Sequence, residues 1–173
     1  MNTQTITKGK AYYHNVVIKT AYLYLPIFSI VVLVASFFEK LRFILYFTAV
    51  GATYGFILNQ LKKKNINIEF NSENIFLGDH IINIKDIDSY YLSLPLNELL
   101  MLRIKTKNQD NIAIYIDKDL KLTIESFFDK NSIKSIKENY DNYLKYGHLI
   151  FPFIGLGICA IIYSIYNFFK YKF

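Results

Sequence analysis

The chain has 173 residues and a formal net charge of +6, and 53% of its residues are hydrophobic. A hydrophobic fraction this high is unusual in a soluble domain and ordinary in a small membrane protein. Residues 65–147 hold 10 Lys and Arg against 13 Asp and Glu, whereas the rest of the chain holds 10 against one. The positive charge therefore lies beside the apolar runs and not on a folded domain, which argues against nucleic acid as a partner.

Residues 1–20 form a polar N-terminal segment with lysines at positions 8, 10 and 19. We expect this segment to lie at a membrane interface, where Tyr12 and Tyr13 would join an aromatic belt. A signal peptide is the competing interpretation, because a basic stretch precedes an apolar one. The apolar stretch is long for a signal peptide, no A-x-A site follows it, and a second apolar run begins almost at once.

Two apolar runs come next. Ala21–Phe38 is 18 residues without a charge, and Phe43–Leu58 is 16 residues without a charge. A helix that crosses a bilayer needs about 20 predominantly apolar residues. Because a short charged turn separates the runs, residues 21–61 are predicted to form a transmembrane helical hairpin.

From residue 65 the hydrophobic period changes to two, as in Ile66–Phe70, where alternate residues are apolar. Six or so short strands joined by turn-forming residues follow, which predicts a small antiparallel β-barrel or half-barrel within residues 65–147. An amphipathic helix over Leu120–Phe128 should close this domain and bury Ile124 and Phe127 against the sheet.

A second apolar stripe from Ile133 to Leu144 predicts another helix, which leads into a third apolar run. That run, Leu149–Phe169, is 21 residues without a charge. Residues 148–169 are therefore predicted to form a third transmembrane helix, followed by a basic tail at 170–173. The predicted fold class is an α+β membrane protein, with the β domain inserted between the second and third spans.

The middle of the chain reads IEFNSENIFLGDHIINIKDIDSYYL, and its INIKDI step has Ile82, Asp86 and Ile87 at the positions of an "I-x-W-x-D-I" pattern. In this respect it resembles the bacterial pleckstrin-homology-like domain of small YcxB-like membrane proteins, with Ile84 in place of the usual tryptophan. That family often carries the domain after a two-helix membrane hairpin. The resemblance implies a PH-like fold and a bacterial inner-membrane location, and it implies no catalytic residue.

Small residues in the second and third predicted spans would let helix backbones approach closely. These candidate helix-packing and partner-binding positions are Gly51, Gly55, Gly155, Gly157 and Ala160. The alternative is that the glycines reflect the ordinary composition of membrane helices. At the junction between domain and membrane we expect Lys62, Lys63, Lys64, Tyr140 and Tyr143, on connections short enough to hold the domain close to the bilayer.

No catalytic, cofactor-binding or metal-binding residue is predicted. His14, His80 and His148 are far apart, and Cys159 is the single cysteine, so no spacing typical of a zinc site or a catalytic thiolate occurs. The spans hold no charged residue near their centres, which argues against a proton-coupled transporter or an ion channel. The protein is therefore not expected to be an enzyme.

Two classes of function remain open. In the first, this is a membrane-anchored interaction protein that lies among membrane lipids and binds a protein partner, as an immunity protein or an accessory subunit would. In the second, the domain binds lipid headgroups. Arg103, Lys105 and Lys107 cluster near one turn, but we expect them to be a solvated strand end, and the negative charge of the domain weighs against anionic lipid.

Charge also predicts the orientation. With a cytoplasmic N-terminus, six lysines at positions 8, 10, 19 and 62–64 lie inside, against four basic residues at positions 40, 42, 170 and 172 outside. The positive-inside rule therefore predicts that residues 65–147 are cytoplasmic and that the C-terminus is outside.

Overall fold

A computed structural model describes residues 7–38, 40–95 and 99–172. The chain divides into two compact units. The first combines Met1–Val16 with Leu61–Tyr146, and the second combines Val17–Gln60 with Gly147–Phe173. The division differs from a linear series of domains, because each unit is built from two separate stretches.

The described residues form four helices and eight strands, interspersed with two short 3-10 turns. In chain order they are β1 (Thr7–Tyr13), α1 (His14–Ser36), α2 (Arg42–Lys63), β2 (Ile66–Phe70), β3 (Asn74–Leu77), β4 (His80–Asn83), β5 (Ile87–Ser93), β6 (Leu99–Thr106), β7 (Asn111–Asp117), α3 (Lys121–Lys130), β8 (Lys134–Ser135) and α4 (Asn139–Lys172).

The first unit is built on one sheet with the strand order β4-β3-β2-β1-β7-β6-β5-β8. Strands β2–β4 and β5–β7 are two antiparallel meanders, and β1 lies between them. Ala11 of β1 is paired with Ile66 on one side and with Ile116 on the other. Strand β1 therefore joins the two meanders into one sheet.

The sequence predicts no strand over Thr7–Tyr13, because we expect the N-terminal segment to lie at a membrane interface. The segment TKGKAYY lacks clear apolar alternation, so pattern alone does not mark it as a strand. Its backbone nevertheless completes the centre of the sheet, and Ala11 and Tyr12 are buried there. Tyr12 therefore belongs to the domain and not to an aromatic belt.

The sequence predicts a barrel or a half-barrel; the sheet is open, so a closed barrel is wrong. Its edges are β4 and β8, which do not pair with each other. The short strand β8 runs parallel to β5, with Ser89 opposite Lys134, and occupies the edge that closure would require. The expected helix from Ile133 is also absent there, because Ile133 packs into the core and α4 begins only at Asn139.

One face of the sheet packs on α3. Ile124 and Phe128 are both 0% exposed, and the Phe128 ring stacks on Tyr90 with ring centroids 4.1 Å apart. Burial of Ile124 confirms the prediction for this residue. Phe127 is only partly buried and contacts Phe70 edge-on, with centroids 5.0 Å apart, so Phe128 and not Phe127 is the main aromatic anchor of the helix.

The second unit consists of helices. Phe28, Val32 and Tyr46 form a small buried cluster between α1 and α2. Tyr24 stacks on Phe56 in the same helix pair, with ring centroids 4.9 Å apart. This contact, like the cluster, joins α1 to α2 as the predicted hairpin requires.

Two helices, His14–Ser36 and Phe43–Lys63, are long and apolar enough to cross a membrane. In their most apolar stretches only 11% and 28% of the residues are buried, unlike the core helix of a soluble protein. The third apolar stretch, Phe153–Phe169, is shorter, so a third span is not confirmed. Glu39 of the predicted hairpin turn lies outside the described residues, as does the side chain of Cys159.

The position of Phe128 in the core leads to a stability prediction. We expect Phe128→Ala to lower the free energy of unfolding of the first unit by about 3–5 kcal/mol, because it removes a fully buried ring. Phe127→Ala should cost less, and Leu122→Ala, at a side chain 77% exposed, should change it by less than about 0.5 kcal/mol. Hydrogen exchange of the β5 and β6 amides in the detergent-solubilised chain measures these differences. A larger effect from Phe127→Ala than from Phe128→Ala would contradict this packing.

Candidate functional site

The predicted small residues of α2 lie on an exposed face. Gly51 and Gly55 are four residues apart and therefore lie on the same side of the helix. Both are exposed, and a Cβ atom built on either glycine would meet nothing within 4 Å. They form a shallow notch that no described part of the chain fills.

The small residues of α4 divide into two groups. Gly155 is buried, and a Cβ atom built there would overlap Cε1 of the Phe28 ring in α1. Gly157 and Ala160 are exposed, and a Cβ atom on Gly157 would meet nothing within 4 Å. Gly155 therefore serves packing between helices of this chain, whereas Gly157 and Ala160 face outward.

The predicted junction residues are exposed. The lysines at the end of α2 and directly after it are exposed to solvent: Lys62, Lys63 and Lys64. In the first turns of α4, Tyr140 and Tyr143 are 40% and 56% exposed, and their rings stack with centroids 6.2 Å apart. Rings with polar tips and apolar bodies suit an interface between water and an apolar environment.

A buried ion pair fixes the start of α4 to the sheet, and it is not predicted from the sequence. Arg103 of β6 is 0% exposed and Asp141 of α4 is 2% exposed. Arg103 Nε donates to Asp141 Oδ1 at 2.6 Å, and Nη2 donates to Oδ2 at 3.1 Å. This two-point geometry is the strong form of an arginine–carboxylate bond.

The rest of the guanidinium is also engaged. Arg103 Nη2 donates to the carbonyl oxygen of Ile136 at 2.8 Å, and Nη1 donates to Asn111 Oδ1 at 3.4 Å. Asp141 Oδ2 also accepts the backbone N–H of Glu138 at 2.6 Å, so the carboxylate caps the first turn of its own helix. The guanidinium therefore has a structural role and presents no free donor fork to a ligand.

The expected solvated basic cluster is wrong for Arg103 and Lys105. Lys105 Nζ lies 2.8 Å from Glu138 Oε1, and its side chain is only 19% exposed. Lys107 remains exposed in the turn after β6. The one sequence signal for a buried charge is the isolated arginine in LLMLRI, but its partner in α4 lies beyond β7, α3 and β8.

The described residues contain no group of three or more His, Cys, Asp or Glu placed to hold a metal ion. His14 Nδ1 lies 3.0 Å from the Tyr115 hydroxyl. Burial raises the pKa of Tyr115, so its hydroxyl stays protonated and can donate to the imidazole. This pair is a structural hydrogen bond between β7 and the start of α1.

No protein-family model matches the chain, and no curated protein matches it either.

Breaking the ion pair should be strongly destabilising. Arg103→Met leaves the Asp141 carboxylate buried without its partner, and we expect it to lower the free energy of unfolding by about 3–5 kcal/mol. Arg103→Lys should also destabilise, because an ammonium group cannot reproduce the two-point bond. Lys105→Met, which breaks a partly exposed pair, should cost less than about 1 kcal/mol.

Hydrogen exchange of the Asn139–Tyr146 amides in the full chain measures this loss of stability, because these amides belong to the first turns of α4, where Asp141 lies. The double variant Arg103→Met/Asp141→Leu should recover much of the loss, since neither charge is then left buried alone. Equal exchange rates in Arg103→Met and Lys105→Met would show that the buried pair does not hold α4.

Proposed function

We propose that this chain is an integral membrane protein that acts without catalysis, by binding a protein partner. The helices of the second unit support this proposal, because they present large apolar side chains outward. Exposed apolar residues of α1 and α2 include Leu23, Ile27, Ile30, Val34, Phe43, Ile44 and Phe47. An apolar surface of this kind requires lipid or another protein around it.

The pairing of β1 with β2 supports the orientation. Helix α1 follows β1 directly at His14, and two residues separate the end of α2 at Lys63 from β2 at Ile66. Both ends of the hairpin thus return to neighbouring strands of one sheet, and a spanning hairpin has both ends on the side of the domain. The lysines that flank these ends support a cytoplasmic location for that side, by the positive-inside rule.

We propose in addition that residues 148–169 form a third membrane span. Helix α4 is continuous from Asn139 to Lys172, long enough to cross a bilayer after leaving the domain. Phe37, directly after α1, contacts Tyr166 of α4 edge-on, with ring centroids 5.9 Å apart. With the packing of Gly155 on Phe28, this contact supports a three-helix membrane unit whose C-terminus is outside.

The first unit is proposed to be a PH-like domain of the bacterial inner-membrane, YcxB-like kind. Two antiparallel meanders and a helix packed on one face of the sheet support this assignment. Lipid-headgroup binding is the second candidate for such a domain. The ion pairs of Arg103 and Lys105 weigh against it, because they engage most of the basic cluster that would have bound an anionic headgroup.

The observation that carries the protein-binding proposal is the open notch at Gly51 and Gly55. A helix of a partner can approach the α2 backbone closely there, as at other small-residue contacts in membranes. An immunity protein that neutralises a membrane-active toxin, or an accessory subunit of a membrane complex, would use such a contact.

Cysteine labelling tests the orientation. In a Cys159→Ser background, Asp119→Cys places a thiol on the exposed surface of the domain, and Lys40→Cys places one in the hairpin turn. We expect a membrane-impermeant maleimide to react in intact cells at position 40, and at position 119 only after permeabilisation. Reaction at position 119 in intact cells would reverse the orientation.

Filling the notch tests the partner contact. We expect Gly51→Leu/Gly55→Leu to reduce co-purification of a stoichiometric protein partner from native membranes by at least about tenfold, because the backbones can no longer approach. Gly51→Ala/Gly55→Ala is the matched control, since it also raises helix propensity but adds little bulk. Quantitative mass spectrometry of tagged protein in mild detergent measures the ratio. Equal partner recovery from the leucine and alanine variants would exclude the notch as the binding surface.

A further inference from the structure

A cleft of about 350 Å³ lies in the first unit, between β4 and the turn that joins β6 to β7. Its inner wall is apolar and includes Leu77, Ile82, Ile112 and the ring of Tyr13. A space of this size accepts one or two side chains, at the lower end of the range for small-molecule sites. The cleft is separate from the helix surface proposed above and from the Arg103 ion pair.

The rim of the cleft is acidic. Asp86 and Asp110 line it, and Asp79 lies close enough to Tyr13 to add to the effect of burial, the larger cause, in raising the pKa of its hydroxyl. None of the described residues that line the cleft is Lys or Arg. A positively charged group at this rim would therefore meet carboxylates without a competing cation among the lining residues.

Strand β4 offers unpaired backbone groups beside the cleft. It is an edge strand whose one neighbour is β3. Ile84 donates its N–H to the carbonyl oxygen of Glu73 at 2.9 Å, and hydrogen-bonded pairs alternate along antiparallel strands. Ile82 and His80 therefore bond β3, while the N–H and C=O groups of Ile81 and the N–H of Asn83 point away from the sheet. The C=O of Asn83 begins the 3-10 turn Ile84–Asp86.

We propose that this cleft binds an extended, basic segment of a protein partner, which adds as a strand along β4. An added strand pairs with the outward N–H and C=O groups of Ile81 and with the N–H of Asn83, and its alternate side chains reach the two kinds of surface. An apolar side chain enters the space above Leu77 and Ile82, and flanking Lys or Arg side chains reach the carboxylates. The charge of the rim selects against acidic segments.

This inference rests on the proposed function, because its occupant is part of a protein partner, but it uses a different surface. It names the chemistry of the partner: a stretch of alternating basic and β-branched residues in extended conformation. A partner of the membrane helices could carry such a stretch outside the bilayer.

Peptide binding to the full chain in an uncharged detergent tests the cleft. The probe is a fluorescein-labelled peptide Lys-Ile-Lys-Val-Lys-Ile, and its counterpart is Glu-Ile-Glu-Val-Glu-Ile, with empty micelles as the blank. We expect fluorescence polarisation to show binding of the basic peptide and none of the acidic one. Asp86→Asn/Asp110→Asn should weaken binding about tenfold, as the loss of two partly screened charge pairs does. Asp119→Asn/Asp129→Asn, which makes the same charge change at exposed residues of a segment that does not line the cleft, should leave binding unchanged.

Ile81→Pro separates an added strand from simple charge attraction. It removes an N–H that points away from the sheet, so pairing with β3 is kept while binding of the peptide should fall by at least about tenfold. If this variant does not fold, the aspartate variants still decide the question.

Equal affinity for the basic and acidic peptides, equal affinity in the two asparagine double variants, or no binding at all would overturn the proposal. Full displacement of the peptide by spermidine at equal concentration would also overturn it, because a polyamine has no backbone to pair with β4. None of these outcomes depends on Gly51 or Gly55, so failure here leaves the notch contact standing, and failure at the notch leaves the cleft standing.

Discussion

The buried pair of Arg103 and Asp141 is the interaction on which the order of the first unit depends. It joins β6, near the middle of the sheet, to the first turn of the last helix, and the two charges are almost wholly removed from water. Desolvation of two charges is costly, so such a pair stabilises little relative to apolar residues of the same size. Its value lies in specificity, because one geometry satisfies both partners and all others leave a charge buried alone.

The pair also explains why the chain between α3 and α4 is ordered. Arg103 bonds the carbonyl oxygen of Ile136, and the backbone N–H of Ile136 bonds Tyr90 at 2.9 Å. The short strand β8 is thereby held against β5, and it covers the edge of the sheet that would otherwise be exposed. One arginine thus helps to fix the start of the last helix and holds β8 beside β5.

Much of this architecture follows from local pattern in the sequence. Alternation in Ile66–Phe70 and Asn111–Asp117 predicts strands, and the first two of the three apolar runs predict the helices that are long enough for a membrane. Burial of Ile124 follows from its helical spacing, whereas the choice between Phe127 and Phe128 depends on the direction from which the sheet approaches α3. The burial of Arg103 could not be predicted from the sequence. A charged residue in a strand is normally expected to be exposed, and Asp141 becomes its partner only in the folded state. The open notch at Gly51 and Gly55 and the cleft at β4 likewise depend on which neighbours are absent, and sequence pattern does not show that.

The central position of β1 determines when the domain can fold. This strand is synthesised before the hairpin, whereas its partners β2 and β7 are synthesised only after it, so the hydrogen bonds of β1 form late. Closing so long a loop is slow and gains no stabilisation until both meanders exist. The two apolar helices of the hairpin are complete before this closure. A deletion of Thr7–Tyr13 would therefore leave two half-sheets, each with an uncovered edge able to pair with other chains.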